Sequence, residues 1–130
     1  MPIQTIWGDQ DQTVILVTFS EMWTIDEYYA SVDTMFALST SVSHTVHTIS
    51  DFSRSFASPT RLLSTGQYIE NRKTANAGIN IIVGAKGFII AMLQVAQRLY
   101  LIDMPIYLAN SVDEGYAIIR AHQEKASLSQ

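Results

Sequence analysis

Thr13–Phe19, TVILVTF, is the stretch on which the fold turns. Six of its seven residues are β-branched or aromatic, the composition of a strand buried on both faces, and such strands belong inside a parallel sheet. Immediately before it, Gly8-Asp9-Gln10-Asp11-Gln12 separates it from a second β-rich run, Ile3 to Trp7. Glycine and aspartate between two such runs predict a hairpin, so the chain opens with an antiparallel pair.

Beyond Phe19 the periodicity changes. Thr24 followed by Glu27 forms a capping box, in which hydroxyl and carboxylate satisfy free amides at a helix start. Ile25, Tyr28, Tyr29, Val32, Met35 and Phe36 then recur at helical spacing and predict a first helix of about four turns. His44 to Phe52 (HTVHTISDF) is short and β-branched and reads as a strand, diluted by His47, Thr48 and Ser50. A Ser-rich loop, Ser53 to Ser58, follows it. Ser58-Pro59 supplies an N-cap and a proline at the first helical position. Leu62, Leu63, Gly66 and Ile69 give this second helix a buried stripe, and Arg72-Lys73 suit its negative end.

Gly78 to Gly84 (GINIIVG) predicts another strand, Lys86 to Leu101 a third helix, and Ile106 to Ala109 a short strand. Ser111 and Glu114 form a second capping box opening a last helix with Tyr116, Ile118 and Ile119, whose tail frays from about residue 126. The predicted order is β-β-α-β-α-β-α-β-α: an α/β domain spanning residues 1–130, with a mainly parallel mixed sheet covered by helices.

Composition narrows the function classes. The 130 residues are 48% hydrophobic and 15% charged, the balance of a chain with a real core and not of a disordered one. Net charge is −4 and the eight Lys and Arg residues are scattered, which argues against a nucleic-acid partner. With no cysteine there are no disulfides, thiolate nucleophiles or Cys-ligated metals. MPIQTIWGDQ lacks the layout of a signal peptide, and Gly87 to Ile102 is too short and too polar to span a bilayer. A cytoplasmic protein is the expectation.

In open α/β sheets, ligands gather outside the carboxyl ends of the parallel strands. Here that rim comprises Asp51 to Thr60, Gly84 to Gly87 and Ala109 to Ser111. The first stretch sets Asp51, Ser53, Ser55, Ser58 and Thr60 between a strand and a capped helix, where backbone amides favour an anion or a phosphorylated side chain. Gly84-Ala85-Lys86-Gly87 lacks the spacing of a phosphate loop and reads as a tight turn, although Lys86 is placed to touch an anion docked beside Ser58. His44 and His47, three apart on a strand, point to opposite faces and do not share a metal, and His122 has no evident carboxylate partner. Asp26, Glu27, Asp113 and Glu114 have the helix dipole as sufficient explanation. No catalytic set, metal site or cofactor is expected. The third helix carries apolar residues well around its cylinder, with Phe88 and Met92 on the core stripe and Ile90, Leu93 and Tyr100 widening it. A homodimer contact, a partner groove, an apolar small ligand or simple chain packing would each account for that breadth.

The element order, the Trp23-Thr24 helix start, His44-Thr45-Val46, Asp51-Phe52-Ser53 with its Ser/Thr loop, and Val83-Gly84 before a helix together resemble the STAS family. The resemblance covers nearly the whole chain through short motifs, and is nearest to the STAS/SEC14-like bacterial proteins of unassigned function. It implies a regulatory module akin to the anti-sigma-factor antagonists, in which a strand ending Asp-hydrophobic-Ser leads to a hydroxyl phosphorylated by a partner kinase. Carried over by position, that strand end is Asp51, Phe52 and Ser53, and the switch hydroxyl is Ser58 or Thr60. The antagonists carry an Asp-Ser-Ser-Gly-like sequence where this chain has Ser58-Pro59-Thr60-Arg61. Resemblance to SEC14-like domains implies instead a pocket for an apolar, lipid-like ligand.

Overall fold

Side-chain alternation in the opening hairpin sets the two faces of the sheet. In the computed structural model, which describes residues 2–55, Tyr68, 74–84 and 106–128, β1 (Ile3–Trp7) and β2 (Val14–Phe19) pair antiparallel, from Ile3 opposite Phe19 to Trp7 opposite Ile15. β3 (Val46–Asp51), β4 (Ala77–Val83) and β5 (Ile106–Ala109) follow, each parallel to the strand before it. The five strands lie in sequence order, β1-β2-β3-β4-β5, so the expected mixed and mainly parallel α/β sheet is present.

Two helices are described. α1 (Ile25–Thr40) joins β2 to β3, and its capping box forms fully: the Glu27 N–H donates to the Thr24 hydroxyl at 3.1 Å and the Thr24 N–H to the Glu27 carboxylate at 2.8 Å. α2 (Val112–Leu128) follows β5. At its start the Glu114 N–H donates to the Ser111 hydroxyl at 3.1 Å, but the Glu114 carboxylate reaches the Asn110 N–H at 3.4 Å, so the second box is offset by one residue. α2 runs on to Leu128, past the point at which the sequence predicts fraying. Of the helices expected over 59–73 and 86–101, Tyr68 alone is among the described residues.

Each face has its own core. On one, Ile3, Ile15, Val17, Phe19 and Val46 meet Tyr28 and Val32 of α1, with Trp23 and Phe52 closing the end. On the other, Val14, Ile49, Ile79, Ile81, Val83 and Ala109 meet Ile119 of α2. Gly115 is buried here: a Cβ on it would stand 3.2 Å from Ile81 and 3.3 Å from Ile49, so its bare Cα lets α2 lie close. Phe36 corrects the expected α1 stripe, being 41% exposed. It lies about a quarter-turn from the line through Tyr28, Val32 and Met35, and Ser31 and Leu38 take the core side instead. Tyr29, on the same flank, is covered by Tyr68, whose ring stacks on it at 4.1 Å while its hydroxyl donates to Asp33.

The strand limits have local causes. β2 begins at Val14 because Asp9 claims Thr13: its carboxylate accepts the backbone N–H groups of Thr13 at 2.9 Å and Val14 at 3.0 Å, and the Thr13 hydroxyl as well. β3 begins at Val46 because the preceding turn is held by Asn76, whose amide nitrogen donates to the carbonyls of Ser39, Val42 and His44. No helix among the described residues is long and apolar enough to cross a membrane.

Candidate functional site at the carboxyl rim of the sheet

β3 leaves the sheet through a turn built by one carboxylate. Oδ1 of Asp51 accepts the Ser53 N–H at 3.0 Å and the Ser53 hydroxyl at 2.7 Å, an Asx-type turn that reverses the chain. Phe52 points inward, its ring stacked on Phe19 at 4.1 Å, and its N–H donates to the Val83 carbonyl at 2.8 Å. Ser55 is buried, with its hydroxyl accepting the Trp23 indole N–H at 2.8 Å and its own N–H donating to the Phe52 carbonyl. Ser53 and Arg54 remain exposed between these two anchors.

Gly84, at the end of β4, closes on that turn. Its φ of +70° is a left-handed conformation, and a Cβ there would sit 2.5 Å from the Ser53 Cα. Its N–H donates to the Ala109 carbonyl at 3.3 Å, so the ends of β3, β4 and β5 are tied into one rim. Beside Arg54 are two depressions. One of about 410 Å³ is bordered by Ser20, Glu21 and Met22, and Met22 is 81% exposed. The other, about 540 Å³, follows the outer strand past Pro2, Gln4, Ile6 and Thr18. Gln4 and Thr18 are register partners, so this groove lies on the α2 side of the sheet.

Of the residues singled out in the sequence, Asp51 and Ser53 are brought into direct contact, and Ser55 is committed to the core. Ser58, Thr60 and Lys86, and the apolar candidates Phe88, Ile90, Met92, Leu93 and Tyr100, lie outside the described residues. Arg54 is unremarkable in sequence; the turn sets it against both depressions.

The opposite end of the sheet gathers the histidines. His44 lies before β3 and not on it, with its ring nitrogen Nε2 2.8 Å from the Gln12 carbonyl, whereas His47 is on β3 and buried. His47 meets His122 of α2 edge-on, ring centroids 5.7 Å apart, and its Nδ1 accepts the Ile79 N–H at 3.0 Å. Burial, reinforced by His122 and opposed by Asp9, holds the His47 pKa below the ordinary histidine value. Tyr116 donates its hydroxyl to the Gly8 carbonyl at 2.9 Å, and burial together with the Asp9 carboxylate pushes its pKa up. Among the described residues no cluster of three or more His, Asp or Glu is arranged to hold a metal ion.

Neither a family model nor a curated protein matches the chain.

Proposed function

We propose that this protein is a non-enzymatic regulatory module of STAS type that docks a protein partner at the carboxyl rim of its sheet. The observation that carries the proposal is the Asp51–Ser53 turn. It presents an exposed hydroxyl and an exposed cation, Ser53 and Arg54, at the one edge where β3, β4 and β5 end together. Beneath it Phe52 stacks on Phe19 and Ser55 accepts from the Trp23 indole, contacts that favour a turn formed before a partner arrives.

On this reading segments 59–73 and 86–101 supply the two further helices of the STAS order, and the protein acts in the cytoplasm. Phosphorylation of Ser58 or Thr60 controls partner release. A phosphate brings about −1.5 to −2 charges, a change large enough to alter how a partner meets a rim that already carries Asp51 and Arg54. A homodimer through Ile90, Leu93 and Tyr100 belongs to the same reading.

A second reading, resting on the SEC14-like resemblance, is a carrier of an apolar ligand held between segment 86–101 and the sheet. Native mass spectrometry of protein purified from its own cells separates the two. A phosphate increment, removable by phosphatase and mapped to Ser58 or Thr60, supports the regulatory module. An added small apolar mass on an unmodified chain contradicts it in favour of the carrier.

A further inference from the structure

The β3–β4 ladder contains a bulge at the end of the sheet opposite the rim. Val46 pairs with Ala77 but Thr48 pairs with Asn80, so His47 alone stands against two residues, Gly78 and Ile79. A bulge leaves a ladder group without its regular partner. Here the side chain supplies it: the Ile79 N–H donates to His47 Nδ1 at 3.0 Å. That bond requires Nδ1 to be unprotonated, so the neutral imidazole carries its proton on Nε2. Gly78 makes room for the ring, since a Cβ there would stand 2.6 Å from His47 Cε1.

All three histidines of the chain lie at this end, and two of them face each other across the boundary between the sheet and α2. We propose that this end is an acid-triggered latch, in which a proton on the His47–His122 pair opens the β3–β4 bulge and loosens α2 from the sheet. A protonated His47 carries N–H on both nitrogens and sets a donor against the Ile79 N–H. The charged His47 ring lies edge-on to His122 of α2, and the packing between α2 and the sheet is what yields.

The surrounding groups act in opposite senses, His122 against a charge on His47 and Asp9 in its favour. From the hairpin loop the facing charge is Asp9, whose oxygens already accept from Thr13 and Val14. From α2 the facing groups are His122 and Tyr116, the latter turned to the Gly8 carbonyl. Among the described residues, Thr13 of the hairpin loop, Val14 of β2, and Gly78 and Ile79 of β4 adjoin His47, and none of them titrates. The depressed His47 pKa puts the transition on the acid side of the ordinary histidine value of about 6.5.

The test is residue-resolved amide exchange on the full chain at about pH 7.5 and about pH 5, corrected for intrinsic exchange, with the imidazole titrations followed in the same samples. Protection of Ile79 and of the α2 amides is expected to fall about tenfold or more, with a midpoint matching an imidazole titration. Unchanged protection, or a midpoint matching neither His47 nor His122, overturns the latch. His47→Gln keeps an acceptor for Ile79 without a titrating group and is expected to abolish the effect; retained pH dependence overturns the proposal. Should that variant not fold, His122→Gln removes the ring that adds to burial in lowering the His47 pKa. Its midpoint is then expected to move up in pH, and one that stays or moves down overturns the latch.

Discussion

His47 Nδ1 and the backbone N–H of Ile79 form a 3.0 Å hydrogen bond that completes a parallel ladder where the backbone alone does not. The imidazole thus acts as a piece of the sheet, buried and neutral, and it makes the fold sensitive to two kinds of change: added volume and added protons.

Volume is tested at Gly78. Gly78→Ala drives a methyl into the His47 ring at a packed bulge. Overpacking of this kind costs about 1–3 kcal/mol, visible as a lower urea midpoint at unchanged slope. Wild-type stability for Gly78→Ala would show that the bulge is looser than the geometry implies.

Protons are tested by stability against pH. The folded-state pKa of His47 lies below its unfolded value, so unfolding takes up a proton in the window between the two. Stability from this group is complete above about pH 6.5 and is lost as pH falls from there through the depressed value. Denaturation curves across that window should slope upward with pH in the wild type and less so in His47→Gln. Equal slopes in the two proteins would remove His47 from the account.

A third prediction concerns the rim. Gly84→Ala must adopt a left-handed backbone, at about 1–2 kcal/mol, and also presses a Cβ on Ser53. Thermal unfolding should show a clear loss, and the amide signals of Ser53 and Arg54 should shift with it. Unshifted rim signals in a folded variant would disconnect Gly84 from the Asp51 turn.

Asn76 offers a fourth. Its amide nitrogen donates to one carbonyl at the end of α1, Ser39, and to two in the loop before β3, Val42 and His44. Asn76→Asp replaces that donor with an acceptor facing three carbonyls. The expected cost is about 1–3 kcal/mol by equilibrium unfolding, larger than for Asn76→Ala. The reverse order would mean that the three contacts are incidental.

These sites divide the sequence into what was legible and what was not. TVILVTF and the Thr24–Glu27 box were legible because each is a local pattern whose cause lies within a few residues. Asp51-Phe52-Ser53 was likewise readable as a strand ending in a turn, and the Asp51 carboxylate forms that turn. The straight strand order, the bulge at Gly78 and the staple at Asn76 were not. Each depends on a partner about thirty residues away, and a glycine or asparagine looks the same in sequence whether it faces solvent or a buried ring. Phe36 shows the same limit from the other side: helical spacing places it near the apolar face, and only the outline of the sheet excludes it.

The most direct measurement on the central claim, that the carboxyl rim is a regulated contact surface, is quantitative partner capture. The full chain would be compared with Ser53→Glu, with a Ser58→Asp and Thr60→Asp double variant, and with a Gln10→Glu control at the far end of the sheet, all verified as folded. One and the same partner should be captured by wild type and control, and reduced about tenfold or more by the rim variants, the effect of about 1.4 kcal/mol of lost contact. Equal capture by all four proteins would contradict the rim as the contact surface.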